Sequence, residues 1–238
     1  MPLPHSFTEK LHQNWTDGLF LDLQLLCNGQ AIGVHKIVLC SHSPVFLTAL
    51  SGPYQESEEE IYEVNDSSYP IVVGMVTFMY TGSYKAPDEN STVVHKGYAG
   101  VLFHAGMVAL ADKYLIPSLR ELALREFRKC VDWETNLRAL LQSVSGVYAI
   151  EGDGRAELRH ILVNRFDSRL AFHIEDHGME HLLREISEIT PQFTIDLAMA
   201  LLLTTSTARC QSCHETIHTA RVRVSAGRIK CKTCGRKT

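Results

Sequence analysis

Residues 19–46, LFLDLQLLCNGQAIGVHKIVLCSHSPVF, decide the fold. Leu19 to Cys27 alternates at period two, as a half-buried strand does. Asn28-Gly29 is the strongest short hairpin signal, because both residues tolerate the left-handed conformation of a type I′ turn. Gln30 to Val34 then reads as the return strand, and His35 to Cys40 leads into a helix. Ser43-Pro44 opens a further helix, with Ser as cap, Pro in the first turn, and Val45, Phe46, Leu47 and Leu50 expected inward. Ser51-Gly52-Pro53 ends it.

Upstream, Phe7, Leu11 and Trp15 fall at i, i+4 and i+8, the apolar edge of an amphipathic helix over Thr8 to Trp15. Downstream, an acidic run from Glu56 to Glu60 precedes a short strand at Ile61 to Val64. A helix follows from Ile71 to Tyr80, closed by Thr81-Gly82; residues 85–100 read as a polar loop. Helices are expected over Val101–Tyr114 and Pro117–Cys130, completing an α+β domain of residues 1–130. Residues 131–208 read as an all-helical extension, with segments at 133–148, 156–166, 179–186 and 191–203 around a Gly152-Asp153-Gly154 loop.

The tail, residues 209–238, carries Cys210-x-x-Cys213 and, seventeen residues later, Cys231-x-x-Cys234. Paired CxxC knuckles at this separation are the spacing of a four-thiolate zinc site. Four protein ligands leave no open position, so the expected Zn2+ is structural, and its binding would supply the folding free energy so short a segment lacks. Between the knuckles, Thr219 to Ser225 alternates apolar and basic residues, and Arg228-Ile229-Lys230 returns as a second strand, the pattern of a zinc-ribbon hairpin. His214 and His218 lie close enough to compete as ligands.

Charge is divided unevenly. Residues 209–238 hold eight Lys and Arg against the single Glu215, a net +7, whereas the whole chain is −4, so residues 1–208 carry −11. A basic ribbon suits nucleic-acid phosphate, through Arg221, Arg223, Arg228 and Lys230, or an acidic protein, or the acidic body of its own chain. The tail has no aromatic residue for base stacking. At 238 residues and 45% hydrophobic content the chain can build one large core or two modest ones. No apolar run reaches the ~20 residues of a membrane span. The opening Met1-Pro2-Leu3-Pro4-His5 is no secretory signal, which leads to the expectation of an intracellular protein, nuclear or cytoplasmic, with free thiols. Cys27, Cys40 and Cys130 sit among apolar neighbours as core fillers. There is no phosphate-binding loop, dinucleotide turn or HExxH, and Cys40 and His42 are too close to form a nucleophile–base pair, so catalysis is not expected.

Residues 20–127 closely resemble the BTB/POZ domain. The likeness is carried by Leu21-Asp22-Leu23, the run from Val34 through Phe46, Phe78-Met79-Tyr80-Thr81-Gly82-Ser83-Tyr84, and Leu110-Ala111-Asp112-Lys113-Tyr114-Leu115, in family order and spacing. The long 85–100 loop, the helical extension and the terminal CxxC pair look like fungal members of that family. The resemblance implies an α+β fold of BTB/POZ type with a helical extension and a small C-terminal zinc ribbon, and protein association as the function. It implies a homodimer through Phe7, Leu11, Trp15 and Leu19. It implies Asp22 and Lys36 as a structural charged pair, and as a residue Asp22 reads the same way, because an acid in an apolar strand needs a cation near it. His35, on the same turn, reads as a hydrogen-bonded structural histidine. Tyr54-Gln55-Glu56 matches the hydrophobic-x-Glu element by which such domains bind their cullin, as substrate adaptors of a ubiquitin ligase; as residues alone, 56–60 also read as a solvated charged loop. The alternative reading is a nuclear, chromatin-associated regulator whose basic ribbon contacts nucleic acid. The target protein is not legible in either case.

Overall fold

The computed structural model describes residues 7–51, 60–87, 96–133, 136–169, 177–203, 206–209 and 216–219. In chain order these are α1 (Phe7–Thr16), β1 (Leu23–Cys27), β2 (Gln30–Val34), α2 (Lys36–His42), α3 (Pro44–Ser51), β3 (Ile61–Glu63), α4 (Tyr69–Thr81), α5 (Lys96–Lys113), α6 (Pro117–Trp133), α7 (Leu137–Tyr148), α8 (Arg155–Arg169), α9 (His177–Ile189), α10 (Pro191–Leu203), β4 (Ser206–Arg209) and β5 (Thr216–Thr219).

The hairpin forms where the sequence placed it. Asn28 and Gly29 take φ of 49° and 77°, both central residues left-handed as a type I′ turn requires. Cys27 pairs with Gln30 and Leu23 with Val34. β3 joins the other edge of β1 in parallel, giving the order β2-β1-β3. Leu23, Leu25, Cys27, Ile32 and Val34 face the core, the period-two set of the pleat.

The strand is shorter than the alternation at 19–27 suggests. Gly18 and Phe20 both have positive φ, 70° and 61°, so the chain turns there instead of extending. Leu19, Phe20 and Leu21 consequently lie exposed.

Ser43 has two duties. Its Oγ accepts from the Phe46 amide at 3.2 Å, capping α3, and donates to the Tyr114 carbonyl at 2.6 Å, tying α3 to the end of α5. Phe46 stacks on Tyr114 at 4.4 Å and meets Tyr62 edge-on. Leu47, expected inward with its neighbours, is half exposed, because Phe46 and Leu50 already fill the buried edge of α3. α4 ends as anticipated: Gly82 is left-handed and its N–H donates to the Phe78 carbonyl.

α5 begins at Lys96, inside the segment read as a loop. Gly100, in that segment, and Gly106, beyond it, are contact points and not breakers. A Cβ on Gly100 would lie 3.1 Å from Cys130 Sγ, and one on Gly106 would lie 2.4 Å from Ile71, so bare backbone lets α6 and α4 approach α5. Trp133 closes α6 and is exposed; the next helix starts at Leu137, with the Asn136 side chain accepting from the Arg138 and Ala139 amides. One buried apolar cluster runs from Leu23 in β1 to Leu197 in α10, crossing from the first 130 residues into the helical extension without a break. Among the described residues no helix is long and apolar enough to cross a membrane.

At the edge of this core, the Tyr84 hydroxyl lies 3.0 Å from His104 Nδ1. Burial pushes the His104 imidazole down to about 4, against a smaller upward pull from Glu126. The unfolded chain, near 6.5, therefore binds a proton in a range where the folded chain does not. Stability from this group is full above pH 6.5 and falls as the pH drops toward 4, by about 3 kcal/mol in all. Urea midpoints measured between pH 7 and 4 should fall more steeply for the wild type than for His104→Gln. Parallel curves would contradict this.

Candidate interaction site

The residues assigned to association divide into two groups. Leu11 and Trp15 belong to their own chain. The Trp15 ring stacks on Tyr80 at 4.7 Å with 9° between planes, and its Nε1–H donates to the Gly33 carbonyl at 2.9 Å. Leu11 packs half-buried against the same core. Phe7 and Leu19 are instead open to solvent, and two residues not singled out in the sequence join them: Phe20, at 81% exposure, and Leu21. They were missed because strict alternation sends Phe20 to the opposite face from Leu19 and Leu21; the signal available was Gly18, which turns the chain just before them.

A buried network fixes this loop. His35 is 6% exposed. Its Nε2 lies 2.9 Å from the Leu19 carbonyl, which accepts, so Nε2 carries the hydrogen. Nδ1 then accepts from the Tyr80 hydroxyl at 2.6 Å, while the Tyr80 oxygen accepts from the His35 amide at 2.9 Å. Burial pushes the Tyr80 hydroxyl up to about 12, so it stays a donor throughout the physiological range. Every polar atom of the pair has a partner, and the Leu19–Leu21 turn is held through its own backbone.

Asp22 and Lys36 meet, but not as an ion pair. Asp22 is exposed, and its Oδ1 accepts from the Lys36 backbone amide at 2.6 Å. His35, the residue before α2, makes no side-chain cap, so Asp22 supplies one from β1's approach. No cation is needed, because the carboxylate is not buried.

A second polar centre joins the two halves of the chain. Asp112 of α5, in the stretch that resembles the family, accepts from Arg120 Nε at 2.8 Å and from the Gly154 amide at 2.7 Å. Arg120 also reaches Glu157 of α8 at 3.3 Å. Asp112 thus serves the first turn of α8, where a negative charge is favoured. Cys27 is fully buried, and burial pushes its thiol up, as befits a core filler.

Several expected sites lie outside the described residues: Tyr54 and Glu56; the zinc ligands Cys210, Cys213, Cys231 and Cys234; and Arg221, Arg223, Arg228 and Lys230. The hairpin between the knuckles lies there too, except for Thr219. What is described is a different pairing, β4 with β5, antiparallel from Ser206↔Thr219 to Arg209↔Thr216, which brackets the first knuckle. Among the described residues no three His, Cys, Asp or Glu side chains group as a metal site.

Comparison with known proteins places this arrangement. The family model described as BTB/POZ domain matches residues 11–129. TD and POZ domain-containing protein 2 of Mus musculus is 32% identical over 116 residues, 49% of this chain and 29% of that protein. BTB and MATH domain-containing protein 42 of Caenorhabditis elegans is 29% identical over 108 residues, 45% of this chain and 24% of its own length. The chain therefore spans less than a third of these curated relatives. Among solved structures, the BTB domain of zebrafish PATZ1 aligns with a TM-score of 0.40 at 18% identity, covering 51% of this chain and 88% of that one. The matched half of the sequence holds the hairpin, the His35–Tyr80 network and the Asp112 cap, and by that match the chain belongs to the BTB/POZ family of protein–protein interaction modules.

Proposed function

We propose that the chain is a homodimeric association module whose dimer face is Phe7, Leu19, Phe20 and Leu21. The observation that carries it is the loop 19–21: three consecutive large apolar residues lie exposed on a turn whose Leu19 carbonyl is anchored by the buried His35 ring. Exposed apolar clusters of this kind mark association sites, and a preformed one loses little entropy on binding. BTB domains generally self-associate and bind partner proteins, which supports the same reading.

The dimer would present Tyr54-x-Glu56 to a cullin and so act as an adaptor for a ubiquitin ligase, with its target held elsewhere on the molecule. A structural zinc ion held by Cys210, Cys213, Cys231 and Cys234 would fold the tail; the hairpin bracketing the first knuckle supports this.

The test is sedimentation of the full chain together with capture on the cullin's amino-terminal domain. The wild type should sediment as a dimer and be captured. Leu19→Asp/Phe20→Asp should sediment as a monomer at an unchanged melting temperature, and Glu56→Lys should remain dimeric but lose capture. A monomeric wild type would remove the dimer; capture that survives Glu56→Lys would remove the assigned cullin contact.

A further inference from the structure

A groove of about 630 Å3 lies between the start of α4, the C-terminal half of α5 and the α7–α8 loop. Its floor is apolar, from Ile71, Leu110 and Ile150, and its rim carries Asp66, Asp112, Glu151 and Asp153 against Lys113. Lys113 is bound to Asp66 at 2.7 Å, and Asp112 is committed to Arg120 and Gly154. Glu151 and Asp153 are exposed and, among the described residues, have no ion-pair partner. The junction of the association domain and the helical extension thus offers an apolar trough with two unneutralised carboxylates at its edge.

We propose that this groove receives the basic segment 220–238 of the same chain. Three observations point to that occupant. First, the segment holds seven Lys and Arg and no acid, while residues 1–208 carry −11. Second, Arg221-Val222-Arg223-Val224 alternates, so an extended segment offers the floor one apolar face, and its arginines, on the opposite face, have stems long enough to reach back to carboxylates at the rim. Third, the chain leaves the helical body beside the groove. Phe193 near the start of α10 packs on Phe166 late in α8, whereas Met199 and Ala200 share a surface with Arg155 and Ala156 at the start of α8. α10 is therefore antiparallel to α8, and its last turn points at the 150–154 loop that forms the rim. β4 begins three residues after α10 ends. A tethered ligand at such range meets its site at an effective concentration in the millimolar range. Exposed carboxylates and guanidinium groups too weak to associate between free molecules can associate under that condition.

The docked tail would neutralise part of the body's charge and keep its own cations from other anions. It does not depend on the dimer or on what the dimer binds.

Zero-length carboxylate–amine crosslinking of the full chain, with equal parts of 15N-labelled and unlabelled protein, tests this by mass spectrometry. Asp66 with Lys113 serves as the internal positive control. The expected result is amide bonds from Glu151 or Asp153 to Lys230, Lys232 or Lys237, in peptides of one isotopic type. They should be lost at high salt and in Glu151→Gln/Asp153→Asn, with the control bond unchanged. If the control forms and the tail lysines react elsewhere or not at all, the proposal is overturned. Mixed-isotope pairs would overturn it equally, by showing that a second copy fills the groove.

Discussion

Replacing Gly154 by alanine should lower the melting temperature of the whole chain by roughly 10 °C. The added Cβ would lie 2.6 Å from Val108 Cγ1 and 2.8 Å from Asp112 Oδ2, closer than carbon atoms approach one another or a carboxylate. The same Asp112 oxygen accepts the Gly154 amide, so relieving the clash means breaking the hydrogen bond that starts α8. Overpacking and an unmet buried polar group together cost about 3–5 kcal/mol. Asp112→Asn, which keeps the shape and one acceptor, should cost less. The form of the transition matters as much as its midpoint. One apolar cluster runs through the junction, so calorimetry should show a single peak moved as a whole. A split peak, with the extension melting first and the BTB portion unmoved, would instead make residue 154 a hinge between independent units.

That continuity bears on what the sequence could reveal. The hairpin, the Ser43 cap and the Gly82 stop were legible because each is local: a turn needs Asn-Gly, a cap needs a hydroxyl, a helix stop needs a left-handed residue. The errors share one cause. Gly97 and Gly100 read as loop residues because glycine is a poor helix former, but Gly100 serves the approach of Cys130, which only the tertiary structure supplies. Asp22 read as a charge in need of a cation, because sequence does not show that the chain turns at Phe20 and leaves the carboxylate in solvent facing an uncapped helix. Asp112 sat inside a recognised family stretch, yet its partner Gly154 lies 42 residues away, and no spacing rule links them. The apolar face at 19–21 was half legible: Leu19 could be named, while Phe20 required knowing where the strand begins.

Trp15→Ala should free α1 from the body and weaken the dimer about a hundredfold while leaving the rest of the fold intact. α1 has ten residues and no fully buried side chain. A helix of that length has almost no stability alone in water. Its attachment rests on Leu11 and on Trp15, whose ring covers Tyr80 and whose indole N–H meets the Gly33 carbonyl. Removing the ring costs about 3 kcal/mol, more than so short a helix can supply, so the segment should unravel and carry Phe7 away from Leu19 and Phe20. Far-UV circular dichroism should lose about one short helix, and sedimentation should show the larger dissociation constant. The melting temperature should fall by no more than a few degrees, because α1 contributes no fully buried residue to the core and rests on it only through the half-buried Leu11 and Trp15. Trp15→Phe keeps the stack on Tyr80 and forfeits one hydrogen bond, about 1 kcal/mol, so its dimer should weaken less than tenfold. A Trp15→Ala chain that lost its helix signal yet dimerised as tightly as the wild type would show that the interface is the 19–21 loop alone, held by His35 and not by α1.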